Sequence, residues 1–139
     1  MQNSNIKYVY FYIEWQKVDE IMENCIFCRI AAGHLPADFL YEDEEIVAFR
    51  DISPRAPVHI LIIPKKHIAS LAEIEETDTA LLGRMCLVAS RLAEREGIAA
   101  TGYRLISNCG ADSGQEVAHL HFHLLGGQFL GAFTTIMQE

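Results

Sequence analysis

The amino-acid sequence predicts an α+β fold with a mainly antiparallel five-stranded sheet, one short helix and one long helix. Several short apolar runs are separated by turn residues, which is typical of strands joined by short loops. One longer segment instead repeats its apolar residues at helical spacing. The 139 residues, half of them hydrophobic and 22% charged, provide enough apolar material for one core.

The first half of the domain contains a short helix and three strands. The apolar spacing from Cys25 to Ala32 predicts the helix, which Gly33 ends. Phe39–Tyr41 and Ile46–Phe49 are predicted strands on either side of an acidic turn. His59–Pro64 is a strongly apolar run and is the third predicted strand.

The long helix has the clearest pattern in the chain. Its apolar face is formed by Leu81, Leu82, Met85, Val88, Ala89 and Leu92. Thr77 or Asp78 is expected to cap its start, and Gly97 is expected to end it. Tyr103–Ser107 and Val117–Leu125 are the last two predicted strands.

Charge and composition limit the possible partners. The net charge of −8 argues against a broad basic surface for nucleic acid, so any bound phosphate must be held locally. The apolar cluster Tyr8–Ile13 is too short to span a membrane and no secretory cleavage site follows it, so we expect a cytoplasmic protein with four reduced cysteines. Residues 1–21 differ in character from the rest and are interpreted as an N-terminal extension, or as an extra element packed on the domain of residues 22–139.

The candidate catalytic residues are three histidines in the last predicted strand. Successive side chains of a strand point to opposite faces, so His119, His121 and His123 share one face and the apolar residues between them face the core. A neutral imidazole keeps a lone pair at pH 7, so a central histidine flanked by two others can act as a nucleophile towards phosphorus. The alternative is a polar strand face with solvated histidines.

The loop Asn108–Glu116 precedes this strand. It contains glycine, asparagine and serine, and can present backbone N–H groups to phosphate oxygens beside the histidine face. It has no P-loop pattern, so binding of a nucleoside triphosphate in that manner is not indicated.

Two strings resemble the histidine triad (HIT) superfamily. They are HLHFHLLGG at 119–127 and FRDISPRAPVHILIIPKKHI at 49–68, and the GQEV string at 114–117 together with the Gly-Gly ending resembles the Hint branch, the nucleoside phosphoramidases. The resemblance covers about residues 24–131. It implies a HIT-like fold in which the long helix and a neighbouring strand join two sheets across the two-fold axis of a homodimer.

The resemblance also implies a role for each matching residue. His121 matches the nucleophile that forms a nucleotidyl-imidazole intermediate, and His59, His119 and His123 match its supporting histidines, with His123 at a phosphate oxygen. Asp51 matches the carboxylate that accepts the ribose hydroxyls. The phosphate-binding loop would contain Asn108, Gly114, Gln115 and Glu116. The walls of the nucleoside pocket would be Ile26, Phe27, Ile30, Leu35, Phe49 and Ile52.

The implied reaction is the hydrolysis of nucleoside 5′-phosphoramidates, or of acyl-nucleotides, to a nucleoside monophosphate of the purine type. No cofactor is required for this chemistry. One alternative is hydrolysis of dinucleotide polyphosphates, against which the Gly-Gly ending argues. Another is a non-catalytic regulatory module that binds nucleotides, against which the intact His121 argues. Some relatives carry Ser at the position of Glu116, which leaves the preferred leaving group open.

Cys25 and Cys28 form a C-x2-C pair. Some HIT proteins bind structural zinc with this pair and two histidines, which would here be His59 and His119, and a closed zinc site needs all four ligands. Catalytic support and zinc binding therefore compete for the same two histidines. The alternative is two reduced cysteines packed as small apolar residues on the short helix.

The remaining cysteines and histidines have no predicted chemistry. Cys86 lies in the long helix and is expected in the core, and Cys109 lies in the phosphate loop with no assigned role. His34 and His67 are isolated histidines at the ends of elements, and both are predicted to be exposed to solvent.

Overall fold

This computed structural model describes residues 20–132, in which residues 20–24 are helical and are followed by two helices and five strands. They are α1 (Ile26–Ala31), β1 (Phe39–Glu42), β2 (Ile46–Arg50), β3 (Val58–Pro64), α2 (Thr79–Arg95), β4 (Tyr103–Ile106) and β5 (Phe122–Gly126). The predicted fold class is thereby confirmed. The predicted extension 1–21 lies outside the described residues except for its last two positions.

The five strands form one antiparallel sheet in the order β1-β2-β3-β5-β4. The apolar strand β3 is central, with Ile62 opposite Ala48 of β2 and Leu61 opposite His123 of β5. This order places the histidine-bearing strand between β3 and the edge strand β4.

Helix α2 covers one face of the sheet. The predicted apolar residues of the helix are buried there, apart from the half-buried Leu82, and they pack against Ile60 and Ile62 of β3 and Leu124 of β5. The chain leaves the helix at Gly97, whose φ of 74° is readily adopted only by glycine. Within residues 20–132, no helix combines the length and the apolar character that crossing a membrane requires.

Helix α1 covers the opposite face. Phe27 and Ile30 of this helix pack against Val47, Phe49 and Leu61 of the neighbouring strands. The sheet therefore has two separate apolar cores, one under each helix, and the histidines lie on the α1 side.

Three predictions about these elements are wrong in detail. The last strand begins at Phe122 rather than Val117, because the N–H of Leu120 donates to the carbonyl of Ile68 (2.6 Å) outside the sheet. Cys86 is exposed, since it lies on the side of α2 that faces away from the sheet. Asp78 precedes α2 but its side chain does not cap it; the carboxylate accepts from the N–H of Glu75 in the preceding turn.

The Gly-Gly ending of β5 has a steric cause. A Cβ atom on Gly126 would lie 2.7 Å from Cδ1 of Ile98, the residue that follows α2 in the core. A side chain at position 126 would therefore require Ile98 to shift, and glycine lets β5 pass this closely without that change.

Candidate active site and the adjoining cysteine–histidine cluster

The predicted nucleophile is buried and held in one tautomer. The side chain of His121 is only 6% exposed, and its Nδ1 lies 2.6 Å from the carbonyl oxygen of His119. A carbonyl oxygen can only accept a hydrogen bond, so Nδ1 carries the proton. The lone pair is consequently on Nε2, which is the nitrogen available for attack.

A second hydrogen-bonded pair, His59 and His123, lies beside it. The backbone N–H of Arg55 donates to Nδ1 of His59 (3.1 Å), so the proton of His59 is on Nε2. That N–H donates to Nδ1 of His123 (2.9 Å), which leaves His123 with its own proton on Nε2. The ring centroids of His121 and His123 are 5.0 Å apart, so the imidazole that carries this Nε2–H donor packs next to the ring of the predicted nucleophile.

Both members of this pair are neutral at pH 7. Burial lowers the pKa of His59 from its usual value. Burial, followed by the neighbouring His121 and His59, lowers the pKa of His123 to about 4. His123 therefore offers a phosphate oxygen a hydrogen bond rather than a positive charge.

Asp51 lies next to the same pair. One carboxylate oxygen accepts the N–H of Ser53 (2.8 Å), and the other is 3.4 Å from Nε2 of His59. Asp51, His59 and His123 lie close enough together to hold a metal ion. The Arg55 N–H argues against this, because it keeps the Nδ1 lone pair of His59 engaged and the proton on the nitrogen that a metal would need.

The aromatic wall is assembled from α1 and β2. The ring of Phe27 meets His121 edge-on at 5.1 Å and Phe49 at 5.8 Å. Ile30 is buried in the same core, Leu35 packs against it, and Ile26 is half exposed. Ile52 is 98% exposed, so the chain by itself does not place it in a wall.

The predicted phosphate loop is braced by one of its own side chains. The amide nitrogen of Gln115 donates to the carbonyls of Ala69 and Val117, both at 2.9 Å, and its amide oxygen accepts the N–H of Gly110 (2.9 Å). The side chain of Gln115 thus holds the loop, and its predicted contact with phosphate is not available to that amide. Asn108 is half-buried, and Gly114 and Glu116 are exposed.

A cleft of about 610 Å³ separates this loop from α1. Its lining includes Glu116 and Ile26, both predicted to contact substrate, and also Cys25 and His67. The cleft therefore adjoins a second group of polar side chains.

That second group consists of Cys25, Cys28, His67 and His119, whose four ligand atoms all lie within 4.8 Å of one another. Nδ1 of His119 is 3.3 Å from Sγ of Cys25 and 3.5 Å from Sγ of Cys28, and Nδ1 of His67 is 3.2 Å from Sγ of Cys28. Nε2 of His119 donates to the carbonyl of Pro64 (2.8 Å), which leaves the Nδ1 lone pair facing the sulfurs. Two thiols and two imidazoles form a donor set that suits zinc.

The cluster corrects two predictions. His67 takes the place predicted for His59, because β3 separates the two residues and His59 lies beside His123 at the far end of that strand. His67 is half-buried rather than exposed to solvent. The sequence feature that could have indicated a role for His67 is its place in the HIT-like string 49–68. The ring of His119 lies in the cluster and its backbone carbonyl accepts the Nδ1 proton of His121, so the geometry allows both of the roles predicted for it.

Burial disfavours the charged forms of three members of the cluster. Burial, and then the hydrogen bond and charge of Cys25, raise the pKa of Cys28 to about 12. Burial lowers the pKa of His67, and burial above all lowers the pKa of His119 to about 4. A divalent ion that binds here would displace thiol protons, so its affinity rises with pH.

Known proteins match this chain over most of its length. The sequence model of the HIT domain matches residues 32–130. The purine nucleoside phosphoramidase of Escherichia coli (strain K12) is 50% identical over 109 residues, which are 78% of this chain and 92% of that protein.

Solved structures of HIT proteins are also similar to this chain. A HIT family hydrolase from Clostridium thermocellum is 53% identical with a TM-score of 0.77, and the match covers 79% of this chain and 96% of that one. A Zn-bound histidine triad family protein from Mycobacterium smegmatis is 29% identical with a TM-score of 0.67, and the match covers 77% of each chain.

Proposed function

The chain belongs to the HIT domain family, and from that premise we propose that it hydrolyses nucleoside 5′-phosphoramidates. One observation carries this proposal. The carbonyl of His119 fixes the tautomer of His121 with a free lone pair on Nε2, and the ring of His123, which has an Nε2–H donor, lies next to it. A lone pair beside a donor is the arrangement that attack on a phosphoryl group requires.

The reaction has two steps. Nε2 of His121 attacks the α-phosphorus, the P–N bond to the amine breaks, and the amine leaves with the bonding electron pair and takes up a proton. Water then attacks the phosphorus of the nucleotidyl-histidine, the bond to Nε2 breaks, and a nucleoside monophosphate is released. His123 donates to a phosphoryl oxygen in both steps, and Glu116 in the adjoining cleft carries the proton to the amine.

The nucleoside is held on the same side of the sheet. Asp51 accepts the ribose hydroxyls, while Phe27, Ile30 and Phe49 provide an apolar wall for the base. The name of the relative from Escherichia coli supports a purine base.

Replacement of the nucleophile tests the mechanism. His121→Ala should lower the rate on an adenosine phosphoramidate by about three orders of magnitude or more, because no other group in the site can form the covalent intermediate. Binding of AMP, measured by calorimetry, should be largely retained. His34→Ala, at an exposed histidine outside the site, is the control and should behave as wild type. Near-normal turnover by the His121 variant would refute the mechanism.

The same assay separates the alternative functions. The wild-type protein should prefer the phosphoramidate to a diadenosine polyphosphate. The reverse preference would assign it to polyphosphate hydrolysis. Tight AMP binding with negligible turnover on every substrate would make it a regulatory module.

The cysteine–histidine cluster is proposed to hold a structural zinc ion. The donor set of Cys25, Cys28, His67 and His119 supports this, and a relative of known structure is Zn-bound. The ion would tie α1 to the end of β3 and to the segment before β5. The cysteines must be reduced for this, which agrees with the proposed cytoplasmic location.

A homodimer is also part of the proposal. Leu87 is exposed midway along α2 on the side that faces away from the sheet, and β4 is an edge strand. Pairing of two α2 helices about a two-fold axis would bury both copies of Leu87 and bring the β4 edges together.

A further inference from the structure

The ligands of the cysteine–histidine cluster lie within two residues of groups that contact the nucleophile or hold the peptide group that orients it. We propose that an ion bound by Cys25, Cys28, His67 and His119 positions His121 for catalysis, in addition to stabilising the fold. This inference rests on the proposed hydrolase function and on three contacts, two of which hold the same peptide group from opposite sides.

The first contact is the peptide group of His119. Its carbonyl oxygen accepts the Nδ1 proton of His121 at 2.6 Å, while the ring of the same residue points into the cluster. An ion that fixes the ring therefore fixes the carbonyl that selects the tautomer of the nucleophile.

The second contact passes through His67. The next residue, Ile68, accepts the N–H of Leu120 at 2.6 Å, and this N–H belongs to the same peptide group as the His119 carbonyl. An ion that joins the rings of His67 and His119 would thus hold both chain segments that fix this peptide plane. The support matters here because residues 117–121 lie outside the regular strand.

The third contact passes through α1. Phe27 lies between the two cysteines, and its ring meets His121 edge-on at 5.1 Å and His119 at 5.9 Å. Ligation of Cys25 and Cys28 would therefore fix the wall against which the nucleophilic ring packs.

Without an ion, the rings of the cluster are held weakly. The contacts between sulfur and imidazole nitrogen involve thiols, which are weak donors. The bond from His119 to the carbonyl of Pro64 is the one strong hydrogen bond that the ring of His119 makes within residues 20–132. Loss of the ion would leave the protein folded but would loosen the position of His121.

The test compares the wild-type protein as isolated, after removal of metal with a chelator, and after reloading with Zn²⁺. Removal should lower kcat on an adenosine phosphoramidate on the order of tenfold, with a smaller change in KM, because misplacement of a reacting group mainly affects the chemical step. Reloading should restore it. The temperature is kept well below unfolding, where an ion that only stabilises the fold would leave kcat unchanged.

A second readout does not depend on turnover. With ¹⁵N-labelled histidine at one fixed pH, the Nδ1–H of His121 should give a slowly exchanging proton signal in the loaded protein, and the signal should broaden or vanish without metal. Cys28→Ser should resemble the metal-free protein, whereas Cys86→Ser, at an exposed cysteine of α2 outside the cluster and the site, should resemble the loaded one.

The outcomes separate this inference from the proposed function. The inference is overturned if the protein binds no metal, or if kcat and the Nδ1–H signal are the same with and without it. Absence of phosphoramidate turnover in every sample would instead refute the proposed function, and the Nδ1–H signal would still decide whether the cluster positions His121.

Discussion

At the scale of single residues, backbone groups assign the roles of the imidazoles. A carbonyl holds the proton of His121 on Nδ1, whereas an amide N–H holds that of His59 on Nε2. A second carbonyl, that of Pro64, leaves the Nδ1 lone pair of His119 facing the sulfurs. The same side chain therefore offers a free Nε2 lone pair, an Nε2–H donor or a free Nδ1 lone pair according to which main-chain atom it meets.

A matched pair of substitutions tests the ligand set. His67→Ala should lower the bound zinc from one ion per chain to well below one, because a closed tetrahedral site loses one of its four ligands. His59→Ala should retain the ion, since His59 lies with His123 instead. Metal content is measured by mass spectrometry on protein dialysed against a weak chelator. Retention of zinc by the His67 variant together with its loss from the His59 variant would restore the ligand set expected from sequence.

The sequence could identify three of the four residues in this cluster. The spacing of Cys25 and Cys28 and the histidine run around His119 are local patterns that can be recognised without a structure. His67 stands alone in the sequence, and it reaches the cysteines only because β3 ends at Pro64 and the chain returns towards α1. For Gln115, the sequence indicated its position in the loop. It did not indicate the three backbone groups that its side chain contacts, which are two carbonyls and one N–H.

At the scale of elements, the outer side of α2 differs from the inner one. The buried residues of α2 face the sheet, whereas Leu87 is 48% exposed at the middle of the helix. The edge strand β4 also exposes Tyr103. An exposed apolar residue beside an unpaired strand edge is a feature that a partner chain commonly covers.

A charge at the middle of α2 tests the proposed dimer. Leu87→Glu should convert the dimer to a monomer, because two carboxylates would face each other across the two-fold axis without partners. Sedimentation velocity measures the change. Thr79→Glu adds the same charge at the exposed start of the helix and should leave the dimer intact. If the wild-type protein sediments as a monomer, the dimer proposal fails.

Some elements could be predicted from the sequence more accurately than others. The helical spacing from Leu81 to Leu92 sufficed for α2, because burial of one helical face imposes that spacing. The alternation of histidine and apolar residues, in contrast, predicted a strand from Val117. The side chains do alternate between the two faces of the sheet from His119 to Leu124. Leu120, Phe122 and Leu124 lie in the core under α2, whereas His119 and His121 contact Phe27 of α1. The backbone, however, joins the sheet only at Phe122. Alternation reports on the face that each side chain takes and not on ladder hydrogen bonds.

At the scale of the whole molecule, the sheet separates a structural side from a chemical side. The core under α2 is apolar, whereas His59, His119 and His121 are buried on or beside the α1 side. Burial of neutral histidines makes the free energy of unfolding depend on pH. The unfolded chain binds protons at these residues at a higher pH than the folded chain does.

As the pH falls, the metal-free protein should therefore lose stability at a higher pH than titration of its carboxylates alone would cause. The pKa values of His119 and His123 fall from 6.5 to about 4 in the folded state, so the stability they contribute is complete above pH 6.5 and is lost as the pH falls towards 4. The fully buried His119 accounts for a loss of about 2 kcal/mol by pH 5. Urea unfolding between pH 7.5 and 5 measures the slope, and His34→Gln should not alter it. A free energy of unfolding that is flat over this range would contradict the assignment of neutral buried histidines.

The alternation of faces from His119 to Leu124 restricts how this gene can change in length. Removal of one codon within that stretch would turn the imidazoles into the apolar core and the aliphatic side chains into the site, so one deletion would abolish catalysis and folding together. Insertions in the exposed turn at Ala111–Ser113 would not shift the stretch against its neighbours, provided that Gln115 can still brace the loop. Length variation among descendants of this sequence should accordingly collect in that turn and be absent from the histidine run.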